Sequence, residues 1–191
     1  MIYLGEDKKN SKGFKFSGGF MKRVISVILF LFCLSLLFVY SDDAERYLNS
    51  GLTKCQTSDY AGAIRDFNKA IELNPKLAGA YGGRGLAEYK LCDYKGAIKD
   101  LNKAIELNPK LAVSYHNRGN AKFKSGDYKG AIKDYDIHIA LEPNNSIDYF
   151  NRGLSRSNLG DKKGALQDLK KAKDLGYNKA SDTIKKIKTG N

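Results

Sequence analysis

The stretch AGAYGGRGLAEYKLCDYKGAIKDLNKAIELNPKL, residues 78–111, is followed at once by AVSYHNRGNAKFKSGDYKGAIKDYDIHIALEPNN, residues 112–145, in the same register. Working outward, Gly51, Gly85, Gly119 and Gly153 recur every 34 residues. An alanine follows each of them at a fixed distance (Ala63, Ala97, Ala131, Ala165), and then a large apolar residue (Phe67, Leu101, Tyr135, Leu169). Pro75, Pro109 and Pro143 close three of the four units. A fixed period of this length marks stacked supersecondary units, each too small to bury its own apolar face. Such solenoids bind other proteins far more often than they do chemistry.

From Leu77 to Leu91, apolar residues including Leu77, Tyr81, Leu86 and Tyr89 recur at helical spacing. Asp93 is placed to cap a second amphipathic helix, Tyr94 to Leu107, with Ala97, Ile98, Leu101, Ala104 and Ile105 on one face. Asn108-Pro109 stops it, because the residue before proline is pushed out of helical geometry. The capping aspartate recurs as Asp59, Asp127 and Asp161, and Gly126 and Gly160 before two of them suit a helix end. Small residues such as Gly85 and Ala97 let two helix axes approach closely, while Tyr81 and Leu101 fill the space beside them.

This pattern resembles the tetratricopeptide repeat family from Ala44 to about Tyr177. The matching residues are Tyr81, Gly85, Ala97, Leu101, Ala104 and Pro109 in one unit, and Tyr115, Gly119, Ala131, Tyr135 and Pro143 in the next. The resemblance implies an all-α fold, a right-handed superhelical solenoid of four helix-turn-helix units with a concave groove for peptides or protein segments. The units are expected at 44–77, 78–111, 112–145 and 146–179. Residues 180–191 are read as a capping helix and tail, since Ala180, Ile184 and Ile187 alternate with Lys and Asp and a solenoid end needs a polar outer face. Three departures stand out: Lys54 at a usually aromatic position, His138 in the slot of Ala70, Ala104 and Ala172, and Tyr177 in place of the closing proline.

The chain has 191 residues, 42% hydrophobic and 28% charged, which is globular rather than disordered. Its formal charge is +12, yet beyond residue 41 the balance is 27 basic to 19 acidic residues, mostly alternating in sign as in Lys99-Asp100. A solvated mixed-charge surface explains this better than a nucleic-acid footprint. The groove also lacks a repeated base-reading pair, so nucleic acid is the least favoured partner class.

Residues 24–40 form an unbroken uncharged run behind Lys22-Arg23 and ahead of Asp42-Asp43. Residues 21–41 are therefore read as a secretory signal peptide cleaved after Val39-Tyr40-Ser41, which places the chain in the periplasm or cell envelope. The alternative is an uncleaved membrane anchor, for which 17 residues is the short edge of a spanning length. Met21 is the expected start if residues 1–20 are a leader or start-site artefact. Cys33 has bulky Phe32 before it and is read as one more apolar residue of the run. Cys55 and Cys92 occupy different phases of neighbouring repeats and are expected as buried or half-buried free thiols.

No catalytic set emerges, so the chain is not expected to be an enzyme, and no cofactor is expected. Metal binding finds no support in sequence spacing: the two histidines, His116 and His138, form no His-x-x-x-His, and there is no Cys-x-x-Cys. Arg84, Arg118 and Arg152 keep one phase and Asp66, Asp100, Asp134 and Asp168 another, which suggests structural Arg–Asp pairs between helices rather than a basic ladder for a partner. Gly79, Gly82, Gly83 and Gly85 crowd one helix without any phosphate-loop signature. They either weaken that helix, each costing it ~1 kcal/mol, or floor a shallow groove.

The face of the first helices left over after packing carries Leu48, Leu52, Gly82, Leu86, His116, Asn120, Phe150 and Leu154, the expected partner-binding residues. Leu52, Leu86, Phe150 and Leu154 are expected to meet apolar side chains, and His116 and Asn120 the partner's backbone. Some members of the family hold a carboxyl-terminal peptide in a Lys/Asn/Arg clamp. Leu48, Leu52, Gly82 and Leu86 take the corresponding slots here, which disfavours that ligand.

Overall fold

The repeat predicts pairs of helices, and pairs are what fold. A computed structural model describes the backbone of residues 18–189, with the side chains of Arg23, of 25–32 and of 42–189. It divides the chain into two compact units, Met1–Val39 and Tyr40–Asn191. The described helices are α1 (Gly18–Gln56), α2 (Tyr60–Leu73), α3 (Ala78–Lys90), α4 (Tyr94–Leu107), α5 (Ala112–Lys124), α6 (Tyr128–Leu141), α7 (Ser146–Asn158), α8 (Lys162–Asp174) and α9 (Lys179–Thr189). No strand occurs among the described residues. The fold is an all-α solenoid in which, from α2 onward, each helix packs on the next, and the first helix α5 also touches α3 and α7.

Each second helix starts the same way. The side chains of Asp59, Asp93, Asp127 and Asp161 accept from the backbone N–H of Gly62, Gly96, Gly130 and Gly164. This satisfies one of the four orphan donors of a helix start. The glycine is part of the device, because a Cβ on Gly62 or Gly130 would overlap the capping carboxylate. Asn74 and Asn108 end α2 and α4 with extended backbone before their prolines. The turns between paired helices need positive φ, supplied by Gly126 and Gly160 but also by Ser58 (φ 63) and Cys92 (φ 65).

The 34-residue glycine is a contact point. A Cβ on Gly51, Gly85 or Gly119 would meet the ring of Phe67, Leu101 Cγ and the ring of Tyr135 at 2.6, 2.8 and 2.8 Å. Phe67, Leu101, Tyr135 and Leu169 are fully buried, with Ala63, Ala97, Ala131 and Ala165 beside them. At the end of the solenoid, α9 covers Leu169 and Ala172 with Ala180, Ile184 and Ile187.

Of the apolar run at 24–40, Ile25 and Val27–Phe32 are exposed large side chains. No helix is long and apolar enough to cross a membrane among the described residues. The side chains of residues 33–41, Cys33 included, and the structure of residues 1–17 lie outside the described residues, as does the expected leader over most of its length. Cys55 is half-buried and packs in the first core cluster, whereas Cys92 is exposed, because its turn position points it outward.

Candidate functional site

The arginine series is part of the frame. Arg118 donates Nε and Nη2 to the two oxygens of Asp134 at 2.9 and 2.6 Å, and Nη1 to Asn102 of the preceding unit at 2.7 Å. Arg152 repeats this on Asp168 and Asp136, and Arg84 on Asp100 and Asn68. Each guanidinium therefore ties two successive second helices together while lying over a tyrosine: Tyr81, Tyr115 or Tyr149. The fork geometry of arginine suits this three-way contact, which a lysine would not reproduce. The hydrogen bond to Asp100 pushes the Arg84 guanidinium further up. These side chains are committed to structure and offer no ladder to a partner.

The eight residues expected to bind a partner separate into three groups. Leu48, Leu52, Gly82 and Leu86 come together, lining with Leu111 and Val113 an apolar recess of about 260 Å³ between α1, α3 and α5. Leu52 and Val113 remain 41% and 51% exposed at its edge. The glycines of α3 have two roles. Gly83 receives the ring of Phe67, which a Cβ would meet at 2.5 Å, and Gly82 keeps the recess floor low.

His116 and Asn120 are placed differently from the expectation. His116 Nδ1 lies 2.5 Å from Asp148 Oδ1, and the Asn120 amide lies 2.9 Å from His116 Nε2. Asn120 Oδ1 accepts from the Tyr135 hydroxyl at 2.8 Å and from Asn151 Nδ2 at 3.0 Å. Burial pushes the Tyr135 phenol well up, so it stays a donor. His138 Nδ1 bonds the other oxygen of Asp148, whose side chain is fully buried. The polar side chains of this region face one another, which is why they are not free to bond a partner's backbone in this conformation. Asp148, the residue that gathers them, carries no sequence signal beyond its departure from Ala80 and Ser114 at the same phase.

Phe150 is likewise not a free groove residue. It packs on the Tyr177 ring at a centroid distance of 4.7 Å and on the Leu169–Ala172–Ala180 cluster. Its surroundings differ from those of Leu48, Gly82 and His116 at the same phase, because Tyr177 stands in place of the closing proline and α9 packs on the same cluster. Leu154 is half-buried on the same helix.

Known proteins agree with this architecture. The tetratricopeptide repeat model matches residues 44–77 and 112–145, and a model described as TPR repeat matches 85–126. No curated protein matches the chain. Among solved structures, MamA is 27% identical with a TM-score of 0.67, over 77% of this chain and 86% of that one. The first TPR of Spaghetti (RPAP3), bound to the HSP90 peptide SRMEEVD, is 27% identical with a TM-score of 0.61, over 63% of this chain and 95% of that one. TTC0263, a thermophilic TPR protein of Thermus thermophilus, shares the fold at 17% identity and a TM-score of 0.63, over 77% of this chain and 82% of that one. Repeat period, glycine contacts, capped helix pairs and these matches together place the chain in the tetratricopeptide repeat family.

Proposed function

We propose that the chain is a non-enzymatic protein-interaction module that takes an extended segment of a partner against its first helices. The observation that carries this reading is the apolar recess of Leu48, Leu52, Gly82 and Leu86, open at Leu52 and Val113. Exposed apolar side chains around a concavity are what a partner's anchor residue requires. Repeat proteins of this kind hold peptides, and the Spaghetti domain carries an acidic one. With leucines and a glycine in the recess, the segment preferred here places an apolar side chain rather than a carboxylate in it. The chain is exported to the cell envelope, supported by Lys22-Arg23 ahead of the apolar run and by Val39-Tyr40-Ser41 at its end.

A random peptide library panned on the full-length chain tests the first claim. Enriched peptides should share one large apolar side chain, and Leu52→Asp should weaken them by ~10-fold, about 1.4 kcal/mol, with the melting temperature unchanged. Peptides that bind Leu52→Asp equally well would remove the recess from the function. Mass spectrometry of the native amino terminus tests the second: a start at or near Asp42 supports cleavage, whereas intact peptides spanning Tyr40 to Asp43 in membrane fractions mean that the segment stays attached.

A further inference from the structure

We propose that His116, His138 and Asp148 form a binding site for one divalent transition-metal ion of the zinc class, at the seam between the third and fourth repeats. Three helices supply the donors: His116 from α5, His138 from the last turn of α6 and Asp148 from the first turn of α7. One ligand atom from each lies within 4.8 Å of the others. A tetrahedral ion at ~2.1 Å from each ligand wants its donors ~3.4 Å apart. Reaching that spacing means closing the widest pair and opening the contacts that His116 Nδ1, at 2.5 Å, and His138 Nδ1 make with Asp148.

The repeat itself argues that these residues are not there for packing. At the phase of His138 the other units have Ala70, Ala104 and Ala172, all fully buried. At the phase of Asp148 the second and third units have fully buried Ala80 and Ser114. At the phase of His116 the other units have Leu48, Gly82 and Phe150. Three neighbouring positions depart together, and they place both of the chain's histidines around one fully buried carboxylate. Burying a carboxylate is costly unless charge and hydrogen bonds compensate it. A cation between the carboxylate and two imidazoles supplies that charge and ties three helices at once.

The surroundings suit a ligated imidazole. Glu142 Oε2 stands 3.9 Å from His138 Nε2, beyond hydrogen-bond distance, and a turn of this exposed side chain would let it orient a metal-bound ring through its second nitrogen. On the other side, the Asn120 amide faces His116 Nε2 at 2.9 Å. An Nε2–H there would need the Asn120 oxygen instead, and turning the amide also gives up the bond that Asn120 Oδ1 accepts from Asn151 Nδ2. The Tyr135 hydroxyl, which both donates and accepts, then takes the NH₂. Two imidazoles with one carboxylate select zinc-like ions over Ca²⁺ and Mg²⁺, which take oxygen donors. His116 is 20% exposed, so an ion has a way in and its fourth position is open to water.

The experiment uses the untagged full-length chain, stripped with a chelator and titrated with Zn²⁺ and then Co²⁺. One ion per chain, a raised melting temperature and the visible absorption of four-coordinate Co²⁺ are expected, with both imidazole NMR signals shifting. The double variant His138→Ala/Asp148→Ser installs the residues of the neighbouring seam and should keep the helical fold while losing all of these. His116→Leu, which copies Leu48, serves as the second variant if the double one fails to fold. No stoichiometric ion after gel filtration, or equal binding by the variants, overturns the proposal and leaves His116–Asp148–His138 as a hydrogen-bond network.

Discussion

Glu88 stands against Asp100 where the other three units place a cation against the same aspartate. Lys54 pairs with Asp66 at 2.6 Å, Lys122 with Asp134 at 2.9 Å and Arg156 with Asp168 at 3.0 Å. In the second unit a carboxylate takes that slot, and its Oε2 is buried without a hydrogen-bond partner. Burial first, then the charge of Asp100, pushes the Glu88 carboxyl from the ordinary 4.5 up to about 7.

A raised carboxyl pKa means that the folded state holds the proton more tightly than the unfolded one. The resulting stability is complete below pH ~4.5 and is lost as the pH rises through about 7. Urea melts should therefore show stability falling between those values. Glu88→Lys, which restores the pattern of the other units, should remove that slope. At pH 8 it should raise stability by ~1 kcal/mol, a figure kept small because Glu88 is only half-buried and solvent screens it. An unchanged pH profile in the variant would clear Glu88 of this role.

Two glycines of α3 should respond to alanine with opposite signs. On Gly83 a new Cβ would meet the buried Phe67 ring at 2.5 Å, so Gly83→Ala should cost ~1–3 kcal/mol through overpacking. On Gly79 the nearest atom is Leu48 Cδ2 at 3.4 Å, an ordinary contact. Gly79→Ala should therefore keep most of the helix-propensity gain, ~0.5–1 kcal/mol. Thermal melts of the two single variants decide it.

Cys92 sits at φ 65 in the turn where Gly126 and Gly160 occupy the same place. A side chain in that region costs ~1–2 kcal/mol. Cys92→Gly should raise stability by about 1 kcal/mol, net of the entropy that glycine adds to the unfolded chain. It should also abolish the fast thiol labelling expected of this exposed cysteine, while half-buried Cys55 reacts slowly.

What the sequence shows best is whatever the repeat enforces. Gly85, Ala97, Leu101 and Asp93 are legible because the same contact is made four times, and the Arg118–Asp134 pairing is legible because both series keep step. The glycine after each cap, such as Gly130, is equally periodic, but its meaning appears only when the carboxylate of Asp127 fills the space of its Cβ. The candidate site is legible in part. Leu48, Leu52 and Leu86 do share a recess, since helix phase governs them. His116, His138 and Asp148 break the repeat on three separate helices, and no linear spacing announces that α5, α6 and α7 bring them to one point.

Phe150 is where phase reasoning and packing part company, so it makes the sharpest closing test. Position 150 is Leu48, Gly82 or His116 elsewhere, which suggests that any residue will do there. In the fourth unit, however, Phe150 packs with Tyr177 and with Ile184 and Ile187 of α9 against the Leu169–Ala172–Ala180 cluster. Removing that ring takes away a partly buried aromatic and its 4.7 Å contact with Tyr177. Phe150→Ala should cost ~2 kcal/mol, below the ~3–5 kcal/mol of a fully buried phenylalanine. Hydrogen exchange should show the loss first in α9, because that helix packs on α8 and on little else. Peptide affinity at the recess of Leu52 and Leu86 should not change, since the two sites lie on different units. A variant that melts like the parent but loses its ligand would return Phe150 to the binding face.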